Sequence, residues 1–140
     1  MKRIANAHWS GSIQDGQGTI SSQSTVLQST PYSFRTRFAD GIGTNPEELL
    51  AAAHAGCFTM AVSAALAQQG FTAGELDTRA VVDFDPSLPA VTGIRLELTA
   101  SVVEGLPEAQ FTTLALAAKD NCPISKALAA TPISLEVVYR

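Results

Sequence analysis

The stretch Gly43-Thr44-Asn45-Pro46-Glu47-Glu48-Leu49-Leu50-Ala51-Ala52-Ala53-His54-Ala55-Gly56-Cys57-Phe58 reads as the start of a long helix that carries a thiol. Thr44 or Asn45 can cap it, because a short side-chain oxygen accepts from the unpaired N–H groups of a first turn. Pro46 suits that turn, and Glu47 and Glu48 favour its positive end. The helix is expected to run to about Gln69, with Gly70 as its stop. Its small residues, among them Ala51, Ala52, Ala53, Gly56, Ala61 and Ala64, would let another element pack close. The apolar run from Leu49 to Ala67 is interrupted by His54, Thr59 and Ser63, so it predicts a buried helix rather than a membrane span.

Upstream, three antiparallel strands are expected. Ile4–Ile13 alternates roughly, Gly16-Gln17-Gly18 marks a turn, and Thr19–Leu27 is rich in Ser, Thr and β-branched residues. Pro31–Phe38 alternates, which puts Tyr32, Phe34, Thr36 and Phe38 on one face and Arg35 and Arg37 on the other. Downstream, Leu76–Phe84 and Ile94–Val103 read as strands around a turn at Asp85–Pro89. Residues 107–119 have apolar positions at helical spacing, Pro123 can open a short helix to Ala130, and Ile133–Tyr139 closes the chain as a strand. The order βββ-α-ββ-α-α-β is an α+β layout, and it argues against a doubly wound nucleotide-binding fold. One domain is expected over residues 1–140, since no linker or repeat divides the chain.

Composition narrows the function classes. Hydrophobic residues make up 46% and charged residues 16%, with a net charge of −4, and the few cations are scattered. A nucleic-acid surface normally shows a basic stripe, so nucleic acid is not an expected partner. Met1–Trp9 begins with charge but has no apolar run after it, so no secretory leader is expected and the cytosol is the expected compartment. A permanent disulfide is disfavoured there.

The two cysteines, Cys57 and Cys122, lie 65 positions apart. Either could be a packed apolar residue, as unpaired cysteine often is. Cys122 stands between Asn121 and Pro123 at an expected helix start, where unpaired N–H groups stabilise a thiolate. The pair could also do redox chemistry, one thiolate attacking an O–O bond and the other condensing with the sulfenic acid. A cation would stabilise such a thiolate and a carboxylate could hold the cation; Arg35 or Arg37 and Glu47 or Glu48 are the candidates. A metal site would draw on His8, His54, Cys57 and Cys122, but no Cys-x-x-Cys or His-x-x-x-His pair is present. Neither a phosphate-binding glycine signature nor a hydrolase serine elbow occurs.

The run from Gly43 to Phe58 closely resembles the central motif of the OsmC/Ohr family. Cys122-Pro123-Ile124-Ser125, Ala7-His8-Trp9-Ser10-Gly11 and Thr36-Arg37-Phe38 also match, so the resemblance covers essentially the whole chain. Pro31–Phe38 and Ala7-His8-Trp9 are similar to the OsmC branch. The resemblance implies an OsmC-like fold, with antiparallel sheets packed around long central helices in an intertwined homodimer. It implies thiol-dependent reduction of organic hydroperoxides and hydrogen peroxide. By position, Cys57 matches the peroxidatic cysteine, Cys122 the resolving one, Arg37 the family's arginine and Glu47 the carboxylate that orients it. No metal or cofactor is implied. The implied partners are a peroxide and a dithiol reductant, a dihydrolipoyl group in Ohr members.

Two further expectations follow. Low charge and an apolar lining, for which Phe34, Phe38, Phe58 and Met60 are candidates, would suit a greasy hydroperoxide. Glu47 and Cys57 are ten residues apart, about 15 Å of rise in one straight helix. Either the helix breaks near Ala53 or Gly56, or a second subunit completes the site. The alternative from another class is a non-catalytic protein that holds a small apolar ligand in the same pocket.

Overall fold

The computed structural model describes residues 1–140, in two compact units, Met1–Leu49 and Leu50–Arg140. In the first, β1 (Ala5–Ser10), β2 (Gln17–Ser22) and β3 (Thr30–Tyr32) form an antiparallel sheet in that order. Trp9 packs against Tyr32 with ring centroids 5.4 Å apart, and its indole N–H donates to the Gly11 carbonyl at 3.0 Å.

The alternation in Pro31–Phe38 does not continue as a strand. Phe34–Phe38 is a short helix, α1, so the expected division of Tyr32, Phe34, Thr36 and Phe38 from Arg35 and Arg37 across a strand is overturned. Ser33 and Thr36 are the reason. The Thr36 N–H donates to Ser33 Oγ at 3.3 Å, and the Ser33 N–H donates to Thr36 Oγ1 at 2.8 Å. That reciprocal capping satisfies two orphan donors locally, which a lone alternating segment cannot do. Phe34 and Phe38 become neighbours four residues apart, with centroids at 4.8 Å.

The helix α2 (Pro46–Gln68) starts where its residues predict. Asn45 Oδ1 accepts from the Glu48 N–H at 2.8 Å, while Asn45 Nδ2 donates to the Thr36 carbonyl at 3.1 Å. One side chain thus caps α2 and ties it to α1. Gly43 has φ +148°, and a Cβ there would run into the Pro31 carbonyl oxygen. The adjacent Thr44 N–H donates to that same oxygen at 2.9 Å, so only glycine lets the loop close so tightly. None of the fully buried apolar side chains lies in this first unit.

In the second unit, β4 (Leu76–Asp85) and β5 (Ala90–Ala100) form an antiparallel hairpin, and β6 (Ile133–Tyr139) pairs with β5 in parallel. That pair alone departs from antiparallel order. The helices α3 (Glu108–Asn121) and α4 (Pro123–Ala127) lie between the two strands in sequence, and a crossover of that length returns the chain in the same direction.

Helix α2 buries a single stripe, His54, Phe58, Val62 and Leu66, spaced by four. The expectation of a buried helix holds for that stripe only, because Ala52, Ala53, Gly56, Met60, Ser63 and Ala64 are exposed. By length and composition α2 could cross a membrane, with a mean hydropathy of 1.7, but a core helix passes the same test. Phe58, Val62 and Leu66 pack with Leu96, Leu98, Phe111 and Cys122 in one core. The Phe111 ring stacks on Tyr139 at 4.3 Å, and the Tyr139 hydroxyl accepts from the Val103 N–H at 2.7 Å. Phe111→Ala removes a fully buried ring and should cost about 3–5 kcal/mol in urea unfolding. A loss under about 1 kcal/mol would show that Phe111 is not part of a packed core.

Candidate active site

Pro123 cannot continue α3, so the chain restarts as α4 with Cys122 as the residue between them. The Cys122 N–H still donates to the Ala118 carbonyl at 2.8 Å, which fixes the backbone and holds the side chain fully buried. Cys57 lies on α2 directly before Phe58 of the buried stripe, at its margin, and is half-buried. The two sulfurs are 3.1 Å apart, within hydrogen-bond distance, and both cysteines are free.

Their environments differ in sign. Burial pushes the Cys57 thiol up, and sharing a hydrogen bond with Cys122, in which Cys57 keeps the proton, pushes it further, with only the Ile124 N–H opposing. Burial also pushes Cys122 up, but there the Ser125 N–H, the Cys57 thiol, the Ser125 hydroxyl and the Ile124 N–H prevail, and Cys122 lies below the ordinary value. No formed side-chain cap holds the Cys122 sulfur, so these donors act on it as nearby dipoles.

His54, three residues before Cys57, is fully buried. Its Nε2 lies 2.8 Å from Ser125 Oγ, and its Nδ1 has no partner. Burial pushes the imidazole down, so the ring is neutral near pH 7. Sequence reading gave His54 no chemical role beyond candidate metal ligand, and Ser125 none beyond its place in the Cys122-Pro123-Ile124-Ser125 match. The available signal was the matched spacing, His54 three before Cys57 and Ser125 three after Cys122. No group of three or more His, Cys, Asp or Glu side chains is arranged to hold a metal.

The second pair lies in the first unit. Arg37 of α1 meets Glu47 in the first turn of α2, with Nη2 2.6 Å from Oε1 and Nε 3.2 Å from both carboxylate oxygens. This fork fixes the plane of the guanidinium as well as its position. The Arg37 guanidinium also lies 5.2 Å from the Phe38 ring centroid. Burial pushes the Glu47 carboxyl up, but the hydrogen bonds and charge of Arg37 outweigh it, and the group lies below its ordinary 4.5. Of the other candidates, Glu48 accepts from Asn45 at 3.4 Å and Arg35 is exposed.

Trp9, Ile13, Tyr32, Phe34 and Phe38 line a cavity of about 270 Å3 with Arg37 on its wall. A larger cavity of about 630 Å3 in the same unit is lined by His8, Asp15 and Arg35 but by neither residue pair. Phe58, expected to line an apolar site, is instead fully buried in the core, and Met60 is largely exposed. Helix α2 is unbroken from Pro46 to Gln68, so the break near Ala53 or Gly56 that could have shortened the gap from Glu47 to Cys57 does not occur.

The family model of the OsmC-like proteins matches residues 39–138. The chain belongs to the OsmC family. It is 44% identical to peroxiredoxin OsmC of Escherichia coli over 125 residues, 89% of this chain and 87% of that protein. It is 39% identical over 90 residues, 64% of this chain and 62% of that protein, to an organic hydroperoxide resistance protein of Xanthomonas axonopodis pv. citri. The crystal structure of OhrB, an organic hydroperoxide resistance protein of Bacillus subtilis, superposes with a TM-score of 0.70 at 27% identity, covering 96% of this chain and 98% of that one. The OsmC-like α+β fold is therefore established for this chain.

The Arg37–Glu47 pair makes a directional prediction. Glu47 is lowered on folding, so the contribution of the pair is full above about 4.5 and fades as pH falls through the lower folded value. Because Arg37 is 36% exposed, solvent screening limits that contribution to roughly 0.2–1 kcal/mol. Glu47→Gln should lose about that much in urea unfolding at neutral pH, and the deficit should shrink as pH falls below 4.5. A deficit that persists unchanged at the acid end would mean the loss is not electrostatic.

Proposed function

We infer that this chain is a thiol-dependent peroxidase that reduces organic hydroperoxides, and also hydrogen peroxide, to the alcohol or water. The observation that carries this is the 3.1 Å contact between its two cysteine sulfurs. Half-buried Cys57 is the attacker, since the first sulfur must meet the peroxide, and fully buried Cys122 is the resolver. The Cys57 thiolate takes the terminal oxygen of R–O–O–H, the O–O bond breaks, and the alkoxide leaves with a proton as the alcohol. Cys57 is then a sulfenic acid. Cys122 displaces its oxygen as water to form a disulfide, which a dithiol reduces. A dihydrolipoyl group, the reductant that the resemblance to Ohr members implies, is the dithiol we favour.

Burial makes Cys57 a poor thiolate within its own pair, so the attacker needs an outside cation. Arg37, held by Glu47, supplies it. The unbroken helix and its rise of about 15 Å from Glu47 to Cys57 support a site completed by a second copy of the chain. The first unit supports a homodimer too. It buries no large apolar side chain, and Ile13, Val26 and Ile42 are each more than two-thirds exposed there. A three-stranded sheet of this size needs a packed face to be stable. The family match from residue 39 to 138 runs across the boundary between units, which supports one OsmC-like functional domain over residues 1–140. The cavity beside Arg37, lined by Trp9, Phe34 and Phe38, favours an apolar alkyl group. We place the protein in the cytoplasm, where dithiol reductants are available.

Cys57→Ser should slow reduction of cumene hydroperoxide by at least ~10²-fold, the scale on which an activated nucleophile acts. Full activity in that variant would remove the assignment. In the parent protein, one equivalent of peroxide should consume both thiols and leave an intrachain disulfide. Mixing Cys57→Ser chains with Glu47→Ala chains should restore part of the activity if two chains share each site. Mixed dimers as inactive as either parent would place Glu47 and Cys57 of one chain in the same site.

A further inference from the structure

The buried imidazole of His54 is not used by the chemistry above. It sits at the end of a row of groups, His54 Nε2 at 2.8 Å from Ser125 Oγ, Ser125 three residues after Cys122, and the Cys122 sulfur at 3.1 Å from Cys57. The His54–Ser125 hydrogen bond joins α2 to the first turn of α4, which begins directly after the resolving thiol. Its direction follows from the unpartnered Nδ1. A neutral ring carries one proton. Were it on Nδ1, a buried N–H would have no acceptor, and buried orphan donors are rarer than under-used acceptors. The proton therefore belongs on Nε2, which donates to Ser125 Oγ. That oxygen is then engaged as an acceptor, and its own hydrogen is free to turn toward sulfur.

We propose that His54 and Ser125 are positioning residues for Cys122, a buried two-link relay that presents the Ser125 hydroxyl hydrogen to the sulfur and favours its thiolate for the resolving attack. The inference rests on the reading of Cys122 as the resolving cysteine. In that step the Cys122 proton has already gone to water, and the thiolate attacks the Cys57 sulfenic sulfur. The S–S bond forms, the S–O bond breaks, and hydroxide leaves with the electron pair and takes a proton from solvent.

The charged neighbours do not supply the same effect. On α3, Lys119 Nζ is 3.5 Å from Asp120 and 3.4 Å from the Ile133 carbonyl. On α4, Lys126 Nζ is 3.4 Å from Asn121 Oδ1. The group facing Cys122 from α2 is Cys57 itself, whose thiol adds to the pull that lowers Cys122, as do the dipoles of Ser125 and Ile124.

The test removes the peroxide reaction from the question. In Cys57→Ser protein, Cys122 is the only thiol, and its ionisation can be followed by thiolate ultraviolet absorbance against pH. Ser125→Ala should move that titration up by about one unit, a tenfold smaller thiolate fraction at a given pH below it. His54→Phe should do nearly the same, and the double variant no more than Ser125→Ala alone, since the two act through one path. His54→Gln, which can return an amide N–H near the Nε2 position, should recover most of the shift. In protein with both cysteines, Ser125→Ala should form its disulfide about tenfold more slowly after one equivalent of cumene hydroperoxide near neutral pH. A Cys122 titration unmoved in folded Ser125→Ala protein would overturn the relay. If His54→Phe fails to fold, the Ser125→Ala and His54→Gln arms still decide it. Should the parent protein form no disulfide, the peroxidase reading falls, and the titration still decides whether the relay exists.

Discussion

The burial of four α2 side chains at spacing four, His54, Phe58, Val62 and Leu66, sets the geometry of the second unit. A helix turns 100° per residue, so fixing that stripe in the core fixes where every other α2 side chain points. Cys57 is immediately before Phe58, at the edge of the stripe rather than within it. It is close enough to touch the buried Cys122, yet it keeps a share of solvent. Shifting the stripe by one residue would bury Cys57 or turn it away from Cys122. The core and the thiol contact are therefore one constraint, and the same packing that stabilises the helix aims its sulfur.

Most elements were readable because their signals are local and strong. Asn45, Pro46, Glu47 and Glu48 announce the start of α2, and Gly70, with φ +81°, follows its end. The strands from Leu76 and Ile133 follow their alternation. The segment after Pro31 misled because two periodicities fit it. Alternation of aromatic and polar residues over a few positions suits a strand, but Ser33 and Thr36 three apart also suit a capping box, and the formed hydrogen bonds decided for helix. The parallel pairing of β5 with β6 was hidden for another reason. Pairing between strands separated by two helices depends on tertiary packing, and no short-range pattern encodes it.

The site was legible as residue types and only partly as geometry. Arg37 and Glu47, candidates by resemblance, meet in a forked ion pair, and the two cysteines touch. The role expected for Phe58 failed because a large ring at a stripe position is worth more in the core than at a pocket wall. Ser125 stood in the sequence only as the end of the Cys122-Pro123-Ile124-Ser125 match, because a serine in the first turn of a helix is ordinary. Only its neighbour in space, a buried imidazole from 71 positions away, makes it unusual.

The unequal burial of the two thiols and their unequal electrostatics pull in opposite directions. On the proposed reading exposure selects Cys57 for contact with a peroxide, while the donors around α4 favour negative charge on Cys122. A protein with both preferences on one cysteine would hold its charge on the attacker at all times. On the proposed reading, charge on the pair favours the resolver, Cys122, unless a cation reaches Cys57. On the proposed reading that cation is Arg37, and its arrival moves the charge across a 3.1 Å contact from one sulfur to the other. On that reading the pair favours the protonated form of Cys57 until its site is complete. A thiol is a far weaker nucleophile than a thiolate, so an incomplete site reacts slowly with stray oxidant. The coupling also explains why the sulfurs are held in contact before any disulfide exists: one shared proton can report, through Cys122, on what stands beside Cys57.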